Sequence, residues 1–441
     1  MGFNTLPFIF IFLPVFLAVY YLMPERLRNG VLALGSLVFY LLGTWKRPWC
    51  LALLMGLMAL TWLSGRKLAG SKPLLVGNLL VLGLCLFGFK YAGLLGSGIA
   101  LPLGLSFYSF QMAAYVIDVY RGCMEPEECP VSYAAEILMF PKLLSGPLMD
   151  PAELKAQMYR RTCTLRELDA GLRDFIIGLS MKVLLANQIG GLWRQVKTSV
   201  STPMAWLGLV AYSLQLYLDF CGYSWMAIGV GEMLGFQLPR NFEHPYAARS
   251  MRDFWRRWHI SLSSWFRDYV YIPLGGSKKG EGRTYLNLLV VWLFTGLWHG
   301  STLNFLLWGL FLFALISLER LGWGKVLRRS QVISRLYMLL VIPLSWMLFA
   351  IPSLKDIGSY IGRLFAFSGG TAVHARDFLV YGRQYTVVLV IGLLVSTPLP
   401  EKLWRRIRTS PLGTVLLLVL FWVCVYCMAV ATNDPFMYFS F

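Results

Sequence analysis

Two of the four histidines stand in settings that can support chemistry. His299 ends the apolar run Leu286 to Trp298 in the sequence TGLWHGS, with Gly296 and Gly300 on either side and Thr295 and Thr302 at helical spacing beside it. An ionisable residue inside an apolar run is a functional candidate by default, and imidazole is the side chain that exchanges a proton near neutral pH. The plainer alternative is a structural histidine that serves only as a hydrogen-bonding group in a helix bundle. His259 lies in Ser250 to Asp268, SMRDFWRRWHISLSSWFRD. Written as a helix, this segment puts Arg252, Arg256, His259 and Ser263 along one stripe and Phe254, Trp258, Leu262 and Trp265 on the opposite one. It is too charged to face lipid, where each central arginine costs roughly 2.5 to 3.5 kcal/mol. Either it lies at the membrane surface with its tryptophans as anchors, or its polar stripe faces a water-filled cavity. In the second case the arginines hold a phosphate or a pantetheine-linked donor, and His259 meets a reacting group. The two readings are compatible.

Other familiar chemistry is missing. No nucleophile elbow, His-Glu-x-x-His or Walker sequence occurs, which removes the commonest hydrolase, metalloprotease and ATPase readings. The histidines at 244, 259, 299 and 374 stand alone, so no metal site is expected. The turn YIPLGGSKKG (Tyr271 to Gly280) lacks phosphate-loop spacing and reads better as an ordinary basic loop. Cys50, Cys85, Cys221, Cys424 and Cys427 lie in apolar runs and behave as small hydrophobes, whereas Cys123 and Cys129 could bridge across a short loop in an oxidising compartment. Asp118, Asp219, Glu232, Gln111 and Gln215 also interrupt apolar runs, and interhelical hydrogen bonding accounts for most such residues.

The elements that must position these groups follow from composition. The chain has 441 residues, 57% hydrophobic and 14% charged, against about 25% charged in an average soluble protein. Those values exclude a soluble or disordered chain and leave a polytopic helical membrane protein, all-α in class. The net charge of +18 is the basic excess expected of cytoplasmic loops facing an anionic leaflet, and no nucleic-acid partner is inferred. Thr5 to Met23 reads as a retained first span. Further apolar runs lie at about 30–43, 49–64, 74–97, 101–119, 131–148, 172–190, 204–236, 286–317, 336–352, 386–398 and 411–432. About ten to twelve membrane helices are expected, some re-entrant or tilted, in a single domain over 1–441 with a motif core at about 102–305. The basic clusters Arg66/Lys67/Lys72, Arg160/Arg161/Arg166, Arg328/Arg329/Arg335 and Arg405/Arg406/Arg408 should be cytoplasmic, and the acidic loop Arg121 to Pro130 is expected on the opposite side.

Taken as a set, the motifs resemble one family. DFWRRWHISLSSWFRDYVYIPLGG (Asp253 to Gly276), TGLWHG (Thr295 to Gly300), PLGLSFYSFQ (Pro102 to Gln111), LDFCGYS (Leu218 to Ser224) and NFEHPY (Asn241 to Tyr246) look like the membrane-bound O-acyltransferases. Within that family the likeness is to the bacterial branch of alginate O-acetylation and teichoic-acid D-alanylation proteins. The opening IFIFLPVFLAVYYLMP (Ile9 to Pro24) and the ending DPFMYFSF (Asp434 to Phe441) resemble the alginate type. The resemblance implies helices around a central funnel or tunnel, with His299 catalytic and His259 in the same channel. It implies acyl, most readily acetyl, transfer from a cytoplasmic thioester (acetyl-CoA or an acyl-carrier protein) with no tightly bound cofactor. His299 would serve as general base, and His259 or Trp298 as oxyanion donor. Arg252, Arg256, Ser263, Trp298, Asp219 and Gln111 are the expected substrate- or donor-binding residues. Trp225 stands where the family often carries an acidic residue, so a polar contact there is missing or supplied by Asp219 or Glu232.

The same resemblance implies a multi-pass protein of the bacterial cytoplasmic membrane, a separate extracytoplasmic acyltransferase partner and a polysaccharide acceptor. The alternatives are D-alanyl or other acyl transfer to teichoic acid or peptidoglycan, an inactive scaffold, and a transporter or flippase. Against the last, the charged segment 250–268 has no counterpart in the first half, as inverted repeats would require.

Overall fold

The computed structural model describes residues 2–68, 70–95, 99–196, 201–365 and 376–431; His374 and the terminal Asp434 to Phe441 motif lie outside them. The chain is 80% helical and has no strand among the described residues, as the composition requires. Eight helices there are long and apolar enough to cross a membrane, against the ten to twelve membrane helices expected, and Phe8–Leu22 and Trp49–Gly65 are shorter apolar helices. Two long or composite runs break. The run at 131–148 is not one crossing: it divides into Pro130–Leu138 and Phe140–Leu143 around an extended Met139, with Pro141 unable to donate to the preceding turn. The run at 286–317 turns at Gly300 into two helices.

The chain forms two compact units, Met1–Phe175 with Ser224–Arg240, and Ile176–Tyr223 with Asn241–Phe441. In the first, Leu105–Arg121 starts at Gly104 and stops at Gly122, both in the left-handed region. Gly104 is required, because a Cβ there would sit 2.9 Å from the Leu143 carbonyl oxygen. Buried Lys142 donates to Gln111 Oε1 at 2.9 Å, with buried Glu136 supplying its counter-charge.

The acidic loop corrects an expectation of sidedness. Glu127 is buried; its carboxylate accepts from Tyr159 Oη at 2.7 Å and pairs with Lys155 at 3.7 Å, and its carbonyl accepts from Trp62 Nε1 at 2.8 Å. Lys155 and Tyr159 belong to the helix Pro151–Arg160 that leads into the Arg160/Arg161/Arg166 cluster, and Arg66 stacks over Trp62. The loop therefore shares a side with two basic clusters instead of opposing them. Acidic residues have little influence on orientation, and here they are held by local partners. Cys123 and Cys129 in this loop are free thiols, not a bridge.

The second unit carries the site. Its elements are α1 (Thr202–Met233, to Tyr223), α2 (Met251–Trp255), α3 (Ile260–Phe266), α4 (Glu281–His299), α5 (Leu303–Leu318) and α6 (Gln331–Ala350). α4 and α5 pack backbone to backbone: a Cβ on Gly296 would meet the Phe305 carbonyl oxygen at 2.6 Å, and one on Gly300 the Phe305 ring at 2.2 Å. The two glycines beside His299 thus exist to admit α5. On α1, Asp219 forms a fully enclosed ion pair with Lys182 at 2.6 Å, each side chain 3% exposed, and Lys182 also donates to Asn187 Oδ1 at 2.7 Å.

Removing one partner of such a pair leaves a buried charge. Asp219→Ala should destabilise the protein by roughly 3–5 kcal/mol. The double variant Lys182→Met/Asp219→Leu should cost less, as measured by unfolding in detergent; equal losses would contradict this reading.

Candidate active site

Segment 250–268 is not the continuous helix expected from its pattern. α2 starts with a reciprocal cap: Asp253 N donates to Ser250 Oγ at 3.1 Å and Arg249 N to Asp253 Oδ2 at 3.1 Å. Glu319 adds a second anchor, accepting from the Met251 and Arg252 amides at 2.6 and 3.2 Å. The helix then breaks at His259, whose backbone is left-handed (φ 44°). The reason is competition for backbone hydrogen bonds. Glu243 N donates to the Arg257 carbonyl at 3.0 Å, Ile260 N donates to the Asn241 carbonyl at 3.0 Å, and Asn241 Oδ1 accepts from Ser261 N and Oγ. Phe242 and Trp258 form an isolated antiparallel bridge. The NFEHPY segment thus takes over the groups that a continuous helix would have used.

The break opens onto a cavity of about 650 Å³ within the second unit. His259, His299, Arg252, Arg256 and Ser263 all line it, so five of the residues singled out from the sequence converge there. From α4 the contributions are Leu288, Val291, Trp292, Thr295 and His299, one face of the helix. Trp258 and Leu262, assigned to the opposite stripe of a single helix, line it too, because the break rotates the second half of the segment. The mouth is basic and exposed, with Arg252, Arg256, Arg320 and Arg328. Arg335 reaches the Ala247 carbonyl and His244 binds Glu401 at 2.9 Å, so the Arg328/Arg329/Arg335 and Arg405/Arg406/Arg408 clusters lie at this same end.

The inner end is aromatic and closed. His299 is 9% exposed and contacts Trp308 edge-on at 5.0 Å between ring centroids and Phe349 at 5.2 Å. Asn304 Nδ2 donates to the Leu348 carbonyl at 3.0 Å, tying the start of α5 to the end of α6 and seating Phe349 against the histidine. His259 is 2% exposed and packs edge-on against Phe220 at 4.7 Å. Its segment lies outside the candidate membrane spans, and burial pushes its pKa down to about 3, so the imidazole is neutral.

Three residues expected in the site are placed elsewhere. Trp298 is buried beside His299, with ring centroids 4.7 Å apart, but points away from the cavity lining. Asp219 is spent on Lys182, and Gln111 on Lys142 in the first unit. Trp225 and Glu232 also belong to the first unit, where Arg240 stacks on the Trp225 ring at 5.0 Å. Conversely, Trp255, Trp308, Trp346, Phe349, Glu319 and Arg320 line the cavity without having been singled out. Trp255 lies inside the Asp253 to Gly276 motif but was not picked out of it; the others sit in apolar runs or at helix ends, and Arg328 carried a signal only as part of a basic cluster. The buried indole N–H groups of Trp255 and Trp308 have no acceptor among the described residues.

The family model for MBOAT, membrane-bound O-acyltransferase, matches residues 130–355, just over half of the chain and including the whole cavity lining. The chain belongs to the membrane-bound O-acyltransferase family. It is similar over its full length, and that of its relative, to the probable alginate O-acetylase AlgI of Pseudomonas putida, at 33% identity. It is 32% identical to the peptidoglycan O-acetyltransferase of Helicobacter pylori over 86% of this chain and 83% of that one. The teichoic acid D-alanyltransferase of Bacillus subtilis matches at 28% over 47% of this chain and 56% of its own length. The protein is a multi-pass membrane O-acyltransferase.

The neutral, buried His259 of this acyltransferase makes stability depend on acid. The unfolded imidazole takes a proton near pH 6.5, while the folded one resists until about pH 3. Stability from this group is intact above pH 6.5 and is lost as the pH falls, by about 1.4 kcal/mol per unit. Unfolding in detergent between about pH 7 and pH 5 should show a steeper acid loss for wild type than for His259→Gln; parallel slopes would refute it.

Proposed function

We propose that the protein transfers an acetyl group from a cytoplasmic thioester toward hydroxyl groups of an extracytoplasmic polysaccharide, working as one membrane-embedded domain over residues 1–441 in the bacterial cytoplasmic membrane. The observation that carries this reading is the convergence of His299 and His259 on one cavity whose mouth is lined by arginines and whose inner end is aromatic. Arg320 and Trp308 line the same cavity about 18 Å apart along the helix, at 1.5 Å per residue. A donor held at both ends therefore carries its reactive carbonyl on a long arm with an anionic terminus. Acetyl-CoA and an acetylated carrier protein share that chemistry. Arg252, Arg256, Arg320 and Arg328 bind the phosphate end, and the basic clusters at the mouth favour a cytoplasmic opening.

At the inner end the imidazole of His299 accepts the proton of the attacking hydroxyl while its oxygen bonds to the thioester carbonyl carbon. The Nε1–H of Trp308, and that of Trp255 beside it, donate to the oxyanion. Collapse breaks the C–S bond, and the proton returns from His299 to the departing thiolate. Neutral His259 orients the reacting groups. A separate extracytoplasmic acyltransferase completes delivery to the polymer. The alginate and peptidoglycan O-acetylating relatives favour acetyl over D-alanyl transfer.

O-acetyl content of surface polysaccharide, in cells with matched membrane levels of the protein, tests the reading. His299→Ala should lower transfer by about 10²–10⁴-fold, and wild-type ester levels in that variant would overturn the assignment. Trp308→Phe removes the N–H while keeping a smaller aromatic ring. It should lower kcat by about 10²–10³-fold with KM little changed, and an unchanged kcat would exclude the indole as oxyanion donor.

A further inference from the structure

His299 is packed against a cluster of aromatic rings. Phe349 touches His299 at 5.2 Å, Phe305 at 5.0 Å, Trp308 at 5.2 Å and Trp346 at 5.7 Å, measured between ring centroids. Trp308 in turn lies 5.0 Å from His299 and 6.1 Å from Trp346. Rings at these separations are in van der Waals contact, so a methylene chain does not pass between them. None of the five residues is more than 9% exposed.

Resting on the reading of His299 as the acyl-transfer centre, we propose that this aromatic wall restricts the protein to a short, acetyl-sized acyl group and that Phe349 sets the limit. Phe349 is the residue the other four share, and it sits in the last turn of α6, one residue from its end. A longer chain extending from the carbonyl would have to displace this ring first. Trp308, by contrast, is held in the middle of α5 and is fully buried. Filled apolar pockets reject one extra methylene by roughly 10–200-fold, enough to separate acetyl from butyryl donors.

The test uses membranes of cells expressing the full chain, supplied with radiolabelled acetyl, propionyl, butyryl or octanoyl groups on coenzyme A and on a phosphopantetheinylated carrier protein. Label esterified to polysaccharide is the readout. Wild type should prefer acetyl over butyryl by at least about tenfold, a result that needs no variant. Phe349→Leu should shift that ratio toward butyryl by about tenfold and Phe349→Ala further; if the alanine variant fails to accumulate, the leucine variant carries the comparison. Equal wild-type use of acetyl and butyryl overturns the proposal. So does an unchanged ratio in variants that still transfer acetyl. Absence of wild-type transfer from every donor, or transfer that survives His299→Ala, instead overturns the underlying assignment of the site.

Discussion

The hydrogen bonds between Asn241–Glu243 and Arg257–Ser261 are the constraint on which the site depends. They stop a helix that the local sequence would otherwise continue, hold His259 in a left-handed backbone conformation, and bring Arg252, Arg256 and Ser263 around one cavity. A non-glycine residue in that conformation persists only where its surroundings over-determine it. Here four main-chain and side-chain bonds do so, and the conformation places an ionisable ring where an unbroken helix would not.

Around that break the structure separates two electrostatic environments within one cavity. The outer part is lined by exposed arginines, with Glu319 and Asp253 committed to the amides that begin α2. The inner part is lined by indole and phenyl rings that exclude water. In the low dielectric of such a pocket a single hydrogen-bond donor acts far more strongly on developing charge than it would in water. The same desolvation that makes this region chemically useful also makes it costly to assemble. Charges the chemistry does not need are therefore internally paired, as Lys182 with Asp219 and Glu127 with Lys155.

Glycine and asparagine at the α4–α5 turn supply the remaining precision. Gly296 and Gly300 let the backbone of α5 approach His299, and Asn304 fastens that turn to the end of α6. His299 is thereby enclosed by residues of α5, which follows it directly, and of α6, farther along the chain. This enclosure, and not the histidine's own helix, determines the shape of the space beside the imidazole.

Much was readable from sequence alone. Composition dictated a helical membrane protein, because nearly three fifths of the residues are hydrophobic and no charge-rich surface could cover them. Motif spacing identified His259, His299, Arg252, Arg256 and Ser263, whose polar character is conspicuous against apolar surroundings. Other features belonged to tertiary structure. Period-3.6 patterning could not reveal the break at His259, since its cause is a segment that lies 16 to 18 residues earlier in the chain. Nor could composition distinguish a polar residue that faces the cavity from one neutralised inside the bundle, which is why Asp219 and Gln111 were expected in the site. Trp308, Trp346 and Phe349 gave no local signal at all, because an aromatic residue in an apolar run is ordinary until tertiary packing brings it against a histidine.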